Sequence, residues 1–208
     1  MFKRPLIVFE GIEGSGKTTH IKNITKYLKK KKIKYINIRE PGGNKNSELL
    51  RKIILNKRSN FHIFSDLLLY LAARNENIDK IIKKNYQKKI IIIDRFIDST
   101  IAYQHYGMGI DLKIINLINK YLLKDIKVDF TFLNTVSSSN LKKRLGKRKN
   151  LNKYDKFNSA FYNKVQKGFV NLAKNKNKYL IINSDKKIEV NSEIILKKIK
   201  KLIFKNEK

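Results

Sequence analysis

The sequence predicts an α/β fold in which an open, five-stranded parallel sheet carries helices on both faces. Short apolar runs recur along the chain, and they lack the polar alternation that a strand with one solvated face would show. Segments with apolar residues at helical spacing separate these runs, as expected for parallel strands joined by right-handed crossovers. The five predicted strands are residues 6–10, 35–39, 90–94, 130–133 and 179–183.

A glycine-rich motif joins the first predicted strand to the first helix. It fits the pattern G-x-x-x-x-G-K-[ST], and it stands in the required order of strand, loop and helix. Glycines let backbone N–H groups surround phosphates, the lysine reaches the β- and γ-phosphates, and the threonine hydroxyl can hold Mg²⁺. An ordinary glycine turn would not need the final Lys-Thr. The motif predicts a P-loop NTPase fold whose triphosphate-binding residues are Gly11, Ile12, Glu13, Gly14, Ser15, Gly16, Lys17 and Thr18.

The length and composition predict a single domain, residues 1–208, with a lid segment at about residues 141–155. A chain of 208 residues can bury about 70% of the surface of its unfolded form. It contains no cysteine, which excludes disulfides and thiolate metal sites. Residues 1–5 lead into a strand that is too short for a secretory or membrane segment. We therefore expect a cytoplasmic protein without a membrane partner.

The net charge of +31, from 48 basic and 17 acidic residues, has two interpretations. A polyanionic partner such as nucleic acid would explain it. The excess is mostly lysine spread along the whole chain, however, and a nucleic-acid footprint should cluster on one surface. A chain-wide compositional bias therefore explains the charge better than a specific nucleic-acid site does.

Two further motifs follow strands, at the edge of a parallel sheet where ligands bind. Residues 39–43 read Arg-Glu-Pro-Gly-Gly, and Glu40 is the candidate for a role on the substrate side. A turn explains the Pro-Gly-Gly part by itself. Asp94 and Arg95 close the third strand, where P-loop enzymes place an acid near Mg²⁺ and where an arginine can clamp phosphate. A salt bridge at the strand end is the alternative, but an arginine after the acid favours a kinase.

The helical segments add candidate contacts with a substrate. Tyr70 and Arg74 lie one turn apart on one face of the helix that precedes the third strand. After that strand, Asp98 is the predicted N-cap of a helix that carries Thr100, Tyr103 and Gln104. Residues 141–150 form a basic segment interrupted by glycine, which is the best candidate for a mobile lid.

With these motifs assembled, the sequence resembles the bacterial thymidylate kinases, nearly from end to end. The resemblance rests on the glycine loop, on Arg-Glu-Pro-Gly-Gly and on three further motifs, Leu-Ala-Ala-Arg at 71–74, Asp-Arg-Phe-Ile-Asp-Ser at 94–99 and Ala-Tyr-Gln at 102–104. It implies a homodimeric, Mg²⁺-dependent kinase that phosphorylates dTMP to dTDP with ATP. The catalytic residues would be Lys17, Asp94, Arg95 and Arg148, and Thr18 and Asp94 would hold the metal.

The resemblance also implies roles on the acceptor side. Glu13 would meet the sugar 3′-hydroxyl and Tyr70 would stack on thymine, while Arg74 and Arg95, with Arg51, would hold the acceptor phosphate. Thr100 and Gln104 would read the thymine edge, and the full acceptor set is Glu13, Glu40, Arg51, Tyr70, Arg74, Arg95, Thr100, Tyr103 and Gln104. Taken singly, these residues have simpler explanations. Tyr70 could belong to the core, Arg51 could be a solvated helix charge, and Thr100 and Gln104 could lie on a helix surface.

The chain departs from the family pattern in the lid, where Asn-Lys-Tyr-Asp at 152–155 replaces the frequent Asp-Arg-x-Glu. The phosphoryl contacts of the lid are therefore the least defined part of the prediction. Ile12, Glu13, Gly14 and Ser15 supply no arginine within the glycine loop, so a lid arginine is expected, Arg148 rather than Arg144. Two alternatives remain open at this point: a deoxynucleoside kinase, and an ATP-dependent nucleic-acid-binding protein.

Overall fold

The sheet has five parallel strands in the order β2-β3-β1-β4-β5. The structure is a computed structural model, and it describes residues 4–147, 153–174 and 176–204. The predicted α/β fold and its five-stranded parallel sheet are confirmed, with β4 two residues longer than expected. The strands are β1 (Leu6–Glu10), β2 (Tyr35–Arg39), β3 (Ile90–Asp94), β4 (Phe130–Thr135) and β5 (Tyr179–Asn183).

Helices connect the strands and cover both faces of the sheet. A π-helical segment, Ile78–Ile82, joins α3 to α4, and a second one, Ile101–Gly107, continues α5. None of the helices in the described part of the chain is long and apolar enough to span a membrane. The helices are α1 (Lys17–Lys30), α2 (Lys45–Ile54), α3 (Ile63–Asn77), α4 (Lys83–Asn85), α5 (Ile97–Thr100), α6 (Leu112–Leu123), α7 (Ser138–Gly146), α8 (Ser159–Ala173) and α9 (Ile188–Ile203).

Each strand contributes to two apolar layers because successive side chains point to opposite faces of the sheet. Ile7 and Phe9 of β1 pack with the buried stripe of α1 and with the inner side of α9. Leu6 and Val8 pack on the other face, in a cluster that includes Ile78. Both faces are covered, which explains why the strands read as continuous apolar runs rather than as alternating ones.

The register of the sheet places the polar residues that follow β1, β2 and β3 next to one another. Phe9 of β1 and Arg39 of β2 both pair with Asp94 at the end of β3. The glycine loop, the Arg-Glu-Pro-Gly-Gly turn and the Asp-Arg pair therefore leave the sheet at the same edge. This edge is where an open parallel sheet binds ligands.

The described residues of the predicted lid contain regular structure on both sides of residues 148–152. Its first residues belong to α7, where Leu141 is buried, and residues 153–156 form a short 3-10 turn in which Tyr154 is buried. Residues 148–152 lie outside the described residues, and the predicted catalytic Arg148 lies among them.

The prediction that Asp98 caps the helix after β3 is wrong. The helix α5 begins at Ile97, so Asp98 lies inside the first turn, where it accepts a hydrogen bond from the Tyr179 hydroxyl at 2.8 Å. The N–H of Phe96, the N-cap residue, is instead accepted at 2.8 Å by the carboxylate of Glu10. Local sequence pointed to the wrong acid because the acceptor comes from another strand.

Candidate active site

One cleft at the carboxyl edge of the sheet gathers the predicted acceptor residues. Besides Glu13, four residues assigned to the phosphates or the metal line the same cleft: Gly14, Lys17, Thr18 and Asp94. Several other lining residues, among them Ser99 and Tyr154, were not predicted from the sequence. The predicted acceptor residues that line it are Glu13, Glu40, Arg51, Tyr70, Arg74, Arg95, Thr100, Tyr103 and Gln104.

The glycine loop has the backbone that a phosphate cradle requires. Gly11 has φ 135°, and a Cβ there would lie 2.2 Å from the carbonyl oxygen of Asn134, so a side chain is excluded on two grounds. Gly16, with φ 84°, is the N-cap residue of α1. The Ser184 hydroxyl donates to the carbonyl of Ser15 at 2.6 Å, so the loop between β5 and α9 braces the glycine loop from behind.

Lys17 is buried inside the loop and points its ammonium toward backbone acceptors. Its Nζ donates to the carbonyls of Gly11 at 2.8 Å and of Ile12 at 2.9 Å. Burial, and then the nearby Arg95, lower the pKa of Lys17 to about 8, although Asp94 and Glu13 oppose the shift. A bound phosphate anion would favour the charged form of Lys17. The loop therefore holds this cation where a phosphate can bind.

Thr18 and Asp94 fit a magnesium site. The Thr18 hydroxyl donates to Asp94 Oδ2 at 3.5 Å, and Asp94 Oδ1 is buried without a hydrogen-bond partner among the described residues. A free carboxylate oxygen beside a hydroxyl suits a cation that prefers oxygen ligands, such as Mg²⁺. The described residues contain no group of three or more His, Cys, Asp or Glu that could hold a metal. Such an ion would therefore rely on nucleotide phosphates and water for most of its ligands.

Arg95, Glu13 and Tyr103 form the charged centre of the cleft. Arg95 Nη2 donates to Glu13 Oε1 at 2.9 Å, the Tyr103 hydroxyl donates to Glu13 Oε2, and the guanidinium lies over the Tyr103 ring at 5.3 Å. Burial opposes ionisation of Glu13, but Arg95 and Lys17 outweigh it and hold the pKa of that carboxyl below its usual value. Both the carboxylate and the guanidinium are therefore charged at neutral pH.

Arg51 lines the same cleft and is half-buried, so it is not a solvated surface charge. Its Nη1 donates to the Pro41 carbonyl at 2.6 Å, which ties α2 to the Arg-Glu-Pro-Gly-Gly turn. Burial, followed by repulsion from Arg39, lowers the pKa of Arg51. An anion between Arg51 and Arg95 would relieve that unfavourable environment, so the two arginines suit an acceptor phosphate.

Arg74 lines the cleft, and its role at the acceptor phosphate stays a prediction. Its side chain is 2% exposed, and Nε forms a buried ion pair with Glu40 at 2.8 Å. Nη1 donates to Asn119, and Nη2 donates to the Phe96 carbonyl and to the Thr100 hydroxyl, each at 2.8 Å. Four of its five N–H groups are therefore used within the protein. These contacts order the wall of the cleft and leave Arg74 one N–H group for a ligand.

Three tyrosines of the cleft lining contact one another: Tyr70, Tyr103 and Tyr154. The Tyr70 and Tyr154 rings meet edge to face with centroids 6.1 Å apart, and Tyr103 meets Tyr154 in the same way at 5.7 Å. An ion pair between Lys153 and Asp66 of α3 holds the turn that carries Tyr154. Tyr154 is a lining residue that was not predicted from the sequence, and an aromatic residue within the predicted lid was the available signal.

Arg144 contacts the glycine loop from the helix α7. Its Nη1 donates to the Gly14 carbonyl at 2.8 Å, and its Nη2 donates to the Ser184 carbonyl at 2.7 Å. The side chain thereby joins the glycine loop to the loop after β5. This contact supports the preference for another lid residue as the arginine that acts on the transferring group.

The strand next to the P-loop ends at Asp94 and is followed by Arg95, and the same cleft contains the half-buried Arg51 and Glu13. These features together define a P-loop nucleotide kinase. Residues 9–195 match the family model described as thymidylate kinase. The chain belongs to the thymidylate kinase family.

Individual relatives agree with this assignment along most of the chain. A thymidylate kinase from Mycoplasma capricolum subsp. capricolum is 39% identical over 176 residues, 83% of this chain and 83% of its own length. The Wolbachia pipientis wMel thymidylate kinase is 42% identical over 171 residues, 80% and 84% of the two chains. The crystal structure of the Ehrlichia chaffeensis thymidylate kinase has a TM-score of 0.77 and 35% identity, with 95% of this chain and 98% of that one covered.

Proposed function

We propose that this protein transfers the γ-phosphoryl group of ATP to dTMP and produces dTDP and ADP. One observation carries the proposal: the P-loop lysine and the arginines Arg51 and Arg95 line a single cleft together with three tyrosines. The cleft offers cations for the triphosphate of the donor and for the phosphate of the acceptor, and aromatic side chains for a base. Membership of the thymidylate kinase family supports dTMP as the acceptor.

The reaction needs positioned charge and no protein nucleophile. A phosphate oxygen of dTMP bonds to the γ-phosphorus while the bond from that phosphorus to the β–γ bridging oxygen breaks, and ADP leaves with the electron pair. Lys17 offsets charge on the donor and Arg95 on the acceptor. The acceptor phosphate is already ionised at neutral pH, so Asp94 is not needed as a base. When bound, Mg²⁺ neutralises phosphate charge, and Thr18 and Asp94 are the residues that would hold it.

The test is ADP production with ATP, Mg²⁺ and each nucleoside monophosphate in turn. We expect dTMP to give the highest kcat/KM. Thymidine and DNA are included as alternative acceptor and activator, because a deoxynucleoside kinase or a nucleic-acid-dependent ATPase would respond to them instead. Faster turnover with thymidine or DNA than with dTMP would contradict the proposal.

Arg95→Ala is expected to lower kcat/KM for dTMP about 100-fold while ATP affinity changes little. Charged hydrogen bonds contribute about 1.5–3 kcal/mol each, and the substitution also leaves the Glu13 carboxylate without its cation. Calorimetric titration with dTMP and with ATP separates the two effects. The matched control is Arg39→Ala, since Arg39 is mostly exposed and pairs with Glu48 outside the cleft. A loss of ATP affinity with normal dTMP binding would mean that the two sites are assigned the wrong way round.

Steady-state kinetics should distinguish the roles of Arg148 and Arg144. Arg148→Ala should lower kcat by about 10³-fold if that residue stabilises the transition state, with small changes in either KM. Arg144→Ala should instead raise the KM for ATP, because Arg144 holds the Gly14 carbonyl. Near-normal kcat in both variants would exclude an arginine and shift the role to Lys147, Lys149 or Lys153.

We also propose a cytoplasmic homodimer whose protomer is one domain with a lid at about residues 141–155. Support for the dimer comes from an exposed apolar stripe on α6, formed by Ile114, Leu117 and Tyr121, and from Leu68 on the neighbouring α3. Sedimentation equilibrium measures the assembly directly. We assign no specific nucleic-acid partner to the basic surface, because the lysines are spread along the chain.

A further inference from the structure

Glu10, the last residue of β1, lies beside the active cleft but is not part of its lining. It is 1% exposed, and its carboxylate accepts three hydrogen bonds from the start of α5. Oε1 accepts the N–H groups of Phe96 at 2.8 Å and of Ser99 at 3.2 Å, and Oε2 accepts the Ser99 hydroxyl at 2.5 Å. Phe96 has no side-chain acceptor of its own at the N-cap position. Glu10 therefore caps a helix from a separate strand.

The turn that Glu10 fixes contains Arg95 in an unfavourable backbone conformation. Arg95 has φ 67°, the left-handed region that residues with a side chain rarely adopt. Such a conformation persists only where the surroundings enforce it. The N–H of Arg95 bonds to the Phe9 carbonyl at 2.9 Å, and the next N–H, of Phe96, bonds to Glu10. Both peptide groups that flank the Arg95 side chain are thus tied to the end of β1.

The Arg95 guanidinium is connected to Glu10 as well. Arg95 Nη1 donates to the Ser99 hydroxyl oxygen at 3.3 Å. Because Ser99 sends its own proton to Glu10, its lone pairs are left to face the guanidinium. Glu10 therefore acts on Arg95 along two routes, one through the backbone and one through Ser99.

We propose that Glu10 is a positioning residue that holds Arg95 in the orientation needed to bind the phosphate of the acceptor nucleotide. The inference rests on the proposed function, because that function assigns the dTMP phosphate to Arg95. Glu10 does not touch the substrate, and its effect should be confined to the side of the cleft where Arg95 lies.

The electrostatic cost of Glu10 supports a role beyond capping. Burial, and then the nearby Asp98 carboxylate, raise the pKa of Glu10 to about 7, although Ser99, the Phe96 N–H and Arg95 oppose the shift. A Ser or Asn at the N-cap position itself would satisfy the Ser99 N–H group without burying a carboxylate. A buried acid at this place is explained when it must also orient an arginine.

The test is a set of dTMP and ATP titrations on Glu10→Gln and Ser99→Ala, each made in the wild-type and in the Arg95→Ala background. In the wild-type background both substitutions should weaken dTMP binding about tenfold and change ATP binding less than twofold. In the Arg95→Ala background neither should weaken dTMP binding further, because residues that act in series are not additive. The matched control is Asp129→Asn, which alters a carboxylate that accepts the Leu6 N–H at the opposite end of β1.

The outcomes separate the inference from the proposed function. Equal effects of Glu10→Gln in both backgrounds, or equal loss of ATP and dTMP binding, would overturn the positioning role. Normal dTMP binding by both variants would overturn the positioning role and leave the proposed function intact. A wild-type protein that binds no dTMP would overturn the proposed function, and the inference with it. Ser99→Ala keeps the test decisive if Glu10→Gln fails to fold, since it removes only the hydroxyl between Glu10 and Arg95.

Discussion

Lys17→Ala should yield a folded protein whose kcat for phosphoryl transfer is lower by about 10³-fold or more. Preorganised cations that face a transferring phosphoryl group contribute at this level because they act in a cleft that excludes water. Lys17 is the cation of the glycine loop, and its ammonium is held between the carbonyls of Gly11 and Ile12. Single-turnover kinetics with saturating ATP and dTMP measure the loss on the chemical step.

The fold should survive the substitution because Lys17 is costly to bury. The pKa of Lys17 is lowered to about 8, chiefly by burial, so the folded state disfavours the charged form. Removing the ammonium relieves that cost and offsets the lost hydrogen bonds, which contribute about 1 kcal/mol each. Lys26→Ala, on the exposed side of α1, is the matched control. An inactive Lys17→Ala protein that has also lost its circular dichroism signal would contradict the prediction.

The parts of the site that the sequence could predict are those that local pattern determines. Glycine spacing identified the loop, and strand ends placed Asp94 and Arg95 beside it because parallel strands share one carboxyl edge. Those inferences use residues within a few positions of one another. The pairing of Phe9 with Asp94 in the register of β1 with β3 agrees with that placement.

The parts that it could not predict depend on pairs that are distant in the chain. Arg74 donates hydrogen bonds to Glu40 and Asn119, which lie 34 and 45 residues away in the chain. No periodicity in the sequence specifies such partners. The same holds for Glu10, which displaces Asp98 as the cap of α5 from 86 residues away. An arginine on a helix that faces a cleft is predicted to lie near a ligand. Only the packing around it decides whether its N–H groups remain available to bind that ligand.

The protein should discriminate strongly against dCMP and only weakly against dUMP. We expect kcat/KM for dCMP to be lower than for dTMP by about 10⁴-fold, because a mismatched edge leaves buried polar groups unpaired. dUMP lacks only a methyl group, which corresponds to about 1–3 kcal/mol. Thr100 and Gln104 are both buried and line the cleft, as the readout of a base edge requires.

Thr100 supplies a physical reason for the direction of this preference. Its hydroxyl oxygen accepts a hydrogen bond from Arg74 at 2.8 Å, so its own proton can point into the cleft as a donor. The exocyclic group at position 4 is a carbonyl acceptor in thymine and uracil and an amino donor in cytosine. A donor that meets the cytosine amino group is repulsive, whereas the same donor satisfies thymine. We therefore expect Arg74 to contribute to specificity by orienting the Thr100 proton.

Thr100→Val isolates that contribution, because valine keeps the shape of threonine and removes only the hydroxyl. We expect the ratio of kcat/KM for dTMP over dCMP to fall at least tenfold in this variant, mainly through weaker use of dTMP. Thr25→Val is the control, since the Thr25 hydroxyl bonds only locally to the Lys22 carbonyl on α1. Initial rates with dTMP, dUMP and dCMP across both variants measure the effect. Comparable kcat/KM for dCMP and dTMP in the wild-type protein would exclude Thr100 and Gln104 as the residues that read the base.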